Sequence, residues 1–190
     1  MRFISLLGGT LALQGDCIEW VTDHTIHHLY SDTHRDKHNS NWGFWWSHMG
    51  WLFRDFRKSV LEKRIKANLE KDKMLVMFRY AFVPLQVVLG LLLLWIGGWG
   101  MVIWGIFFRT VFLYHCTWFV NSATHKWGYR WFDSNDASRN TWWVGLLAFG
   151  EGWYNTHHMY QASPRHGIAW WEIDVTWYTI WFLYLSLIHI

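Results

Sequence analysis

His24-Thr25-Ile26-His27-His28 places histidine at i, i+3 and i+4. On a helix those positions share one face, so three imidazoles would aim at a common volume. Imidazole ligates iron, zinc, copper and nickel, and metal binding is therefore the chemistry this spacing can do. A row of solvated surface histidines would carry the same pattern, so the cluster taken alone leaves both readings open. A second pair, His157-His158, ends the run Glu151-Gly152-Trp153-Tyr154-Asn155-Thr156-His157-His158. Asn121 and His125 lie one helical turn apart and either add a third contribution or cap a helix.

These groups can serve one site only if the chain returns to the side it left. From Tyr80 to Phe108 there is no charged residue. As one helix this run would measure about 43 Å at ~1.5 Å per residue, whereas a bilayer core is roughly 30 Å thick. Gly97-Gly98-Trp99-Gly100 interrupts it, and apolar character then resumes to Val120 with Arg109 and His115 as the strongly polar interruptions. The pattern predicts a helical hairpin with a glycine-rich tip. Arg54, Arg57, Lys58, Lys63, Arg64, Lys66, Lys71, Lys73 and Arg79 precede it, and Lys126, Arg130 and Arg139 follow it, while the tip carries no Lys or Arg. The positive-inside rule puts both ends, and hence both histidine clusters, in the cytoplasm. Arg109 and His115 are read as helix-packing groups, since a polar side chain at membrane depth must face protein or a cavity.

Composition supports a membrane protein. Of 190 residues, 52% are hydrophobic and 21% aromatic, with 18 Trp, yet mean hydropathy is close to zero, so the apolar residues are clustered. Cys17 and Cys116 form no CxxC pair, which excludes a thiolate knuckle and leaves the 12 histidines as the metal-binding capacity. A net charge of +3 is too small for a nucleic-acid protein. The N-terminus has no basic n-region followed by an apolar core and cleavage site, so insertion would rely on an internal segment. Phe3 to Trp20, which includes the polar Gln14-Gly15-Asp16, reads as a helix entering or lying along the interface. The Trp-rich stretches 141–149 and 168–184 are short and border Glu151, Glu172 and Asp174, which suits interfacial or packing helices.

The order H-x-x-H-H, then Asn121-Ser122-Ala123-Thr124-His125, then the Glu-Gly-Trp run ending in His-His resembles the membrane-bound Δ9 acyl-CoA and acyl-lipid fatty-acid desaturases, in their bacterial form. Supporting stretches are Ser31-Asp32-Thr33, Asp36-Lys37-His38-Asn39, Gly43-Phe44-Trp45-Trp46-Ser47-His48-Met49-Gly50-Trp51 and Pro164-Arg165-His166-Gly167. The resemblance covers nearly all of residues 5 to 184. It implies an all-α integral membrane protein, a transmembrane hairpin carrying a cytoplasmic His-rich helical cap. It further implies that His24, His27, His28, His125, His157 and His158 ligate two irons, with Asn121 holding a metal-bound water. O2 would be co-substrate, an acyl-CoA or acyl-lipid the substrate, and a ferredoxin or cytochrome b5 type carrier the electron donor. Gln14, Trp20 and Trp118 would line the acyl channel, while His34, His38, His48 and His166 would hydrogen-bond outside the ligand set. Such chemistry needs a metal oxidant, because no protein side chain attacks an unactivated C–H bond.

Four departures qualify this. No histidine precedes His24, although the family has an H-x-x-x-x-H box after two earlier spans, so Met1 is expected to be an internal methionine of a partial desaturase domain, 1–184, that would not complete a two-iron site alone. Within it, 1–79 would hold the interfacial helix, the His24 box and basic helices, 80–120 the hairpin, and 121–184 the region of the last box. Tyr154 stands where the family has a histidine ligand, Thr25 where an arginine is usual, and Lys37 in place of proline. A phenolate oxygen there would change the iron's potential. A degenerate, non-catalytic acyl-binding relative therefore stands as the alternative, beside a related di-iron hydroxylase or alkane oxygenase. Residues 185–190, Leu-Ser-Leu-Ile-His-Ile, read as translated sequencing adapter, which leaves His189 without function.

Overall fold

The computed structural model describes residues 2–187, with side chains through Leu185. Residues 188–190 of the expected adapter stretch, His189 among them, lie outside the described residues, as does Met1. Among the described residues the chain is helical, with two isolated β-bridges, Tyr129 to Asn140 and Asn140 to Trp153, and no strand. It divides into two compact units that interleave along the sequence: 1–29 with 56–114, and 30–55 with 115–190.

The first unit begins with α1 (Arg2–Leu11) and α2 (Cys17–Tyr30). The single helix expected from Phe3 to Trp20 is thus two. Leu13 and Gly15 take positive φ between them, and the Asp16 carboxylate then accepts the Ile18 amide at 2.8 Å to start α2. After the second unit's first stretch come α4 (Val60–Leu69), opened by a reciprocal Ser59–Glu62 capping box, and α5 (Lys73–Val102), capped by Asp72. The long apolar helix thus starts at Lys73, seven residues before the uncharged run, because Asp72 offers the cap.

α5 loses helical geometry at Gly97 and Gly98, the latter at φ +67, before a π-helical segment, Ile103–Phe108, leads into α6 (Arg109–Ser122). Beyond this break the chain packs against α5: a Cβ on Gly105 would lie 2.8 Å from Leu93 Cδ1, and one on Gly90 3.3 Å from Ile106 Cδ1. The stretch Lys73–His125 is long and apolar enough to cross a membrane, and little of it is covered by protein. Trp95 is 83% exposed and Trp99 70%.

The polar residues of this stretch answer the open carbonyls at the end of α1. Gln86 Nε2 donates to Thr10 O at 2.9 Å, Arg109 Nη2 to Leu11 O at 2.9 Å, and the Tyr114 hydroxyl to Leu13 O. Arg109 is a packing residue, as expected. Phe3 and Phe78 meet at 5.2 Å between ring centroids, and Arg79 ties Asp16 and Glu70 together, each at 2.8 Å.

The second unit contains α3 (Phe44–His48), the end of α6, a 3₁₀ turn Ala123–His125, and α7 (Trp142–Leu147), α8 (Tyr154–Met159) and α9 (Val175–Leu187). Its apolar centre is Val120, Ala123, Val144 and Tyr154, flanked by Phe44, Phe119, Trp143 and Ala148. Residues 168–174, expected inside a helix, are irregular: Glu172 and Asp174 are 1% exposed and accept backbone amides there. Glycine is obligatory at 152, where a Cβ would fall 2.0 Å from the Gly145 amide nitrogen.

In the first unit Glu19 on α2 accepts hydrogen bonds from Lys58 and from Lys66 on α4. Burial works to raise its carboxyl, but the two ammonium groups outweigh it and bring the group from the ordinary 4.5 to about 2. A carboxyl depressed by folding contributes stability above its unfolded value that is lost as pH falls through the folded one. Between pH 4.5 and 2 the wild-type protein should therefore lose melting temperature more steeply than Glu19→Gln, as read by thermal unfolding in detergent. Parallel profiles would refute the assignment.

Candidate metal centre

All three histidines of the first cluster sit on α2 as the spacing requires. The His28 and His24 Nε2 atoms are 2.9 Å apart, and ring centroids are separated by 4.4 Å for His24–His28, 5.6 Å for His27–His28 and 6.4 Å for His24–His27. His27 is buried, and Trp20 stacks on His24 at 4.8 Å. Gln14 lies in the connection between α1 and α2.

The second unit gathers His125, Tyr154, His157 and His158. Ring centroids lie 5.9 Å apart for His125–His158, 5.4 Å for His125–Tyr154, 4.2 Å for Tyr154–His158 and 5.8 Å for His157–His158, and all four residues are buried. The last box rides on α8, whose first turn brings Tyr154, His157 and His158 to one side. His125 stands on the 3₁₀ turn, not on α6, which ends at Ser122. The expectation that Asn121 and His125 share a helix turn is corrected accordingly, and Asn121 sits half-buried on the last turn of α6.

Two imidazoles are gripped by carboxylates. His125 Nδ1 lies 3.0 Å from Asp32 Oδ2, and His158 Nδ1 lies 2.5 Å from Asp136 Oδ2. Burial acts to raise Asp32, yet the hydrogen bond and charge of His125, with Ser40 and the Ala137 amide, hold it well below the usual carboxylate range. Asp136 is held low in the same way, burial opposing and His158 prevailing. Burial, reinforced by Asp36 and Asp136, pushes the Tyr154 phenol well above its ordinary value. The carboxylates were not singled out by sequence reasoning. Asp32 and Asp36 fell within stretches noted only for resemblance, and Asp136 gave no signal beyond a polar loop.

The remaining histidines are placed apart from this set or beside it. His48 Nδ1 is 2.9 Å from Ser122 Oγ and its Nε2 3.1 Å from His115 Nδ1, while Trp118 meets both rings edge-on at 5.8 and 5.2 Å. His115 is thereby a packing residue, as expected. His38 Nδ1 lies 3.5 Å from Asp36, His34 is exposed, and His166 faces His157 at 4.4 Å with Glu151 3.7 Å from its Nδ1.

The family described as fatty acid desaturase matches residues 1–185. Over 180 residues, 95% of this chain and 66% of the relative, it is 53% identical to an sn-1 stearoyl-lipid 9-desaturase of Anabaena variabilis. The chain belongs to the fatty acid desaturase family. A second sn-1 stearoyl-lipid 9-desaturase, from Synechocystis sp., is 53% identical over 97% of this chain and 58% of its own length. An icosanoyl-CoA 5-desaturase of Limnanthes douglasii is 45% identical over 90% of the chain and 49% of its own. The chain thus spans roughly half to two thirds of the length of these relatives, and its likeness to the bacterial type holds.

The donor set suits a desaturase metal. With Nδ1 of His125 and of His158 engaged by a carboxylate, Nε2 is the nitrogen each ring would offer, and neutral imidazole is a good iron ligand. The geometry of this box also has a deep support. Glu172 Oε1 accepts Tyr129 Oη at 2.6 Å, Trp131 Nε1 at 2.8 Å and Asn140 Nδ2 at 3.0 Å, while its Oε2 accepts the Ile168 and Ala169 amides at 2.7 and 2.8 Å. Asn140 Oδ1 in turn accepts the Asn155 amide at 2.9 Å and the Thr156 amide at 3.3 Å, the unsatisfied donors at the start of α8. Burial, then the Glu172 hydrogen bond, raises the Tyr129 phenol to about 12. Glu172→Gln would turn an NH2 group toward donors and should cost about 3 kcal/mol of unfolding free energy. A melting temperature equal to wild type would show that this carboxylate carries no such weight.

Proposed function

We propose that this desaturase-family protein is membrane-bound and introduces a double bond, at Δ9, into a saturated acyl chain carried on a lipid or on CoA, with the lipid-linked substrate favoured. The observation that carries the reading is the 53% identity to stearoyl-lipid 9-desaturases together with buried imidazoles whose Nδ1 atoms are held by carboxylates. His24, His27, His28, His125, His157 and His158 are assigned as ligands of two irons, with Asn121 beside them and Tyr154 at a further family ligand position. The relatives' names cover both lipid- and CoA-linked substrates; the two stearoyl-lipid 9-desaturases stand at 53% identity and the icosanoyl-CoA 5-desaturase at 45%. The balance requires O2, two electrons and two protons, which with two hydrogens from adjacent carbons give a double bond and two waters. Iron supplies the oxidising power that side chains lack.

The chain's own residues would hold and orient. Asp32 and Asp136 keep Nδ1 of His125 and His158 occupied. Trp20, stacked on His24, and Trp118, packed on His48 and His115, offer flat apolar faces to an acyl chain, and Gln14 a polar edge. The apolar stretch Lys73–His125, bent at Gly97–Gly98, is proposed as a transmembrane hairpin with its basic flanks in the cytoplasm. Electrons would arrive from a ferredoxin or cytochrome b5 type carrier.

Topology tests the assignment of both histidine sets to one side. With Cys17 and Cys116 replaced by serine, single cysteines at the exposed positions Leu29 and Gln161 should both react with a membrane-impermeant maleimide from the cytoplasmic face. Labelling from opposite faces would sink the proposal.

Tyr154 favours a second reading, a non-catalytic acyl-binding relative, because a buried phenol is a poor substitute for imidazole. In the protein expressed from its complete gene, Tyr154→His should raise both bound iron and the yield of unsaturated fatty acid severalfold. A wild-type protein without iron, unrescued by this change, would establish the second reading instead.

A further inference from the structure

Asp32 is held in a backbone conformation that an L-residue seldom adopts, φ +59, and is surrounded by contacts that keep it there. Its Oδ1 accepts the Ser40 amide at 3.2 Å and the Ser40 hydroxyl at 2.5 Å, and its carbonyl accepts Asn41 Nδ2 at 2.9 Å. Its own amide donates to Asp36 Oδ2 at 3.0 Å. The remaining oxygen, Oδ2, takes the Ala137 amide at 2.8 Å and faces His125 Nδ1. Next to Ala137 in the chain, Asp136 is fixed through Oδ1 by the Ser134 hydroxyl and the Ser138 amide, both at 2.9 Å, while Oδ2 holds His158.

One loop corner therefore sets two imidazoles at once. The Ala137 amide docks on the carboxylate that grips His125, and the adjoining residue grips His158. Both carboxylates are shielded, with side-chain exposure of 8% for Asp32 and 10% for Asp136, so water competes weakly for these bonds. A buried carboxylate on Nδ1 fixes the ring's tautomer and direction and raises the basicity of Nε2.

We propose that Asp32 and Asp136 are positioning residues for the metal centre, joined through the Ala137 amide so that the orientations of His125 and His158 are set together. The inference rests on the iron assignment above, and deepens it by naming what aims two of the ligands. Neither acid touches substrate.

The test titrates Fe(II), anaerobically, and Co(II) into purified protein expressed from its complete gene. Asp32→Asn and Asp136→Asn turn an NH2 group toward some of the same donors and should lower the melting temperature while leaving the protein folded. They should weaken metal binding ~10–100-fold and shift the visible ligand-field bands of the Co(II)-loaded protein, which a purely structural role would leave in place. Should the Asn variants fail to fold, Ser40→Ala and Ser134→Ala each remove one hydrogen bond onto the same carboxylates without altering charge, and should weaken binding about threefold. Folded variants of either kind with wild-type affinity and spectrum would overturn the positioning role while leaving the iron assignment intact. Wild-type protein that binds neither metal would overturn both.

Discussion

An imidazole whose ring nitrogens find no partner in the interior is free to turn. The Asp32–His125 and Asp136–His158 bonds remove that freedom, at 3.0 and 2.5 Å, and much of the second unit is organised to hold those two acids still. Charged carboxylates are costly to bury unless several donors reach them. Ser40, Ala137, Ser134 and Ser138 supply those donors. The same logic recurs one layer out, where five donors converge on Glu172 and Asn140 passes that fixity to the first amides of α8. Polar satisfaction, more than apolar packing, shapes this unit, whose apolar centre is small.

The first unit solves a different problem. Its long helical stretch is apolar, and little of it is covered by the described residues. Where polar side chains do occur in it they are matched to carbonyls that α1 and its exit turn leave open, as Arg109 is to Leu11 and Gln86 to Thr10. An unsatisfied carbonyl in an apolar medium costs several kcal/mol, on the order of 4. That cost explains why a guanidinium is tolerated beside Phe107 and Phe108.

The chain belongs to the desaturase family, and its histidines are held by few elements. α2 carries His24, His27 and His28, α8 carries His157 and His158, and the 3₁₀ turn carries His125, while loops carry the two carboxylates that meet His125 and His158. Tyr154 is buried among the imidazoles of the second unit, its ring 4.2 Å from that of His158.

The histidine spacing on α2, the His157-His158 pair, the uncharged run with its glycine break, and the family were legible in the sequence because each is local. An i, i+3, i+4 repeat or a hydrophobic run is a property of adjacent residues. Helix limits were less so: α1 and α2 part at Leu13–Gly15, α6 stops before His125, and residues 168–174 form a polar loop in place of a helix. At 168–174 the buried Glu172 and Asp174 carboxylates take the backbone amides, and at the other two limits local turns and caps end the helix. The partners of the histidines were not legible at all. Asp32 stands 93 residues from His125 and Asp136 22 from His158, and no periodicity links residues that meet only when loops fold back. Sequence alone determined which imidazoles this protein owns and that three of them share one face of α2; tertiary structure decided which ring nitrogen His125 and His158 present, because that choice is made by a hydrogen bond to a distant carboxylate.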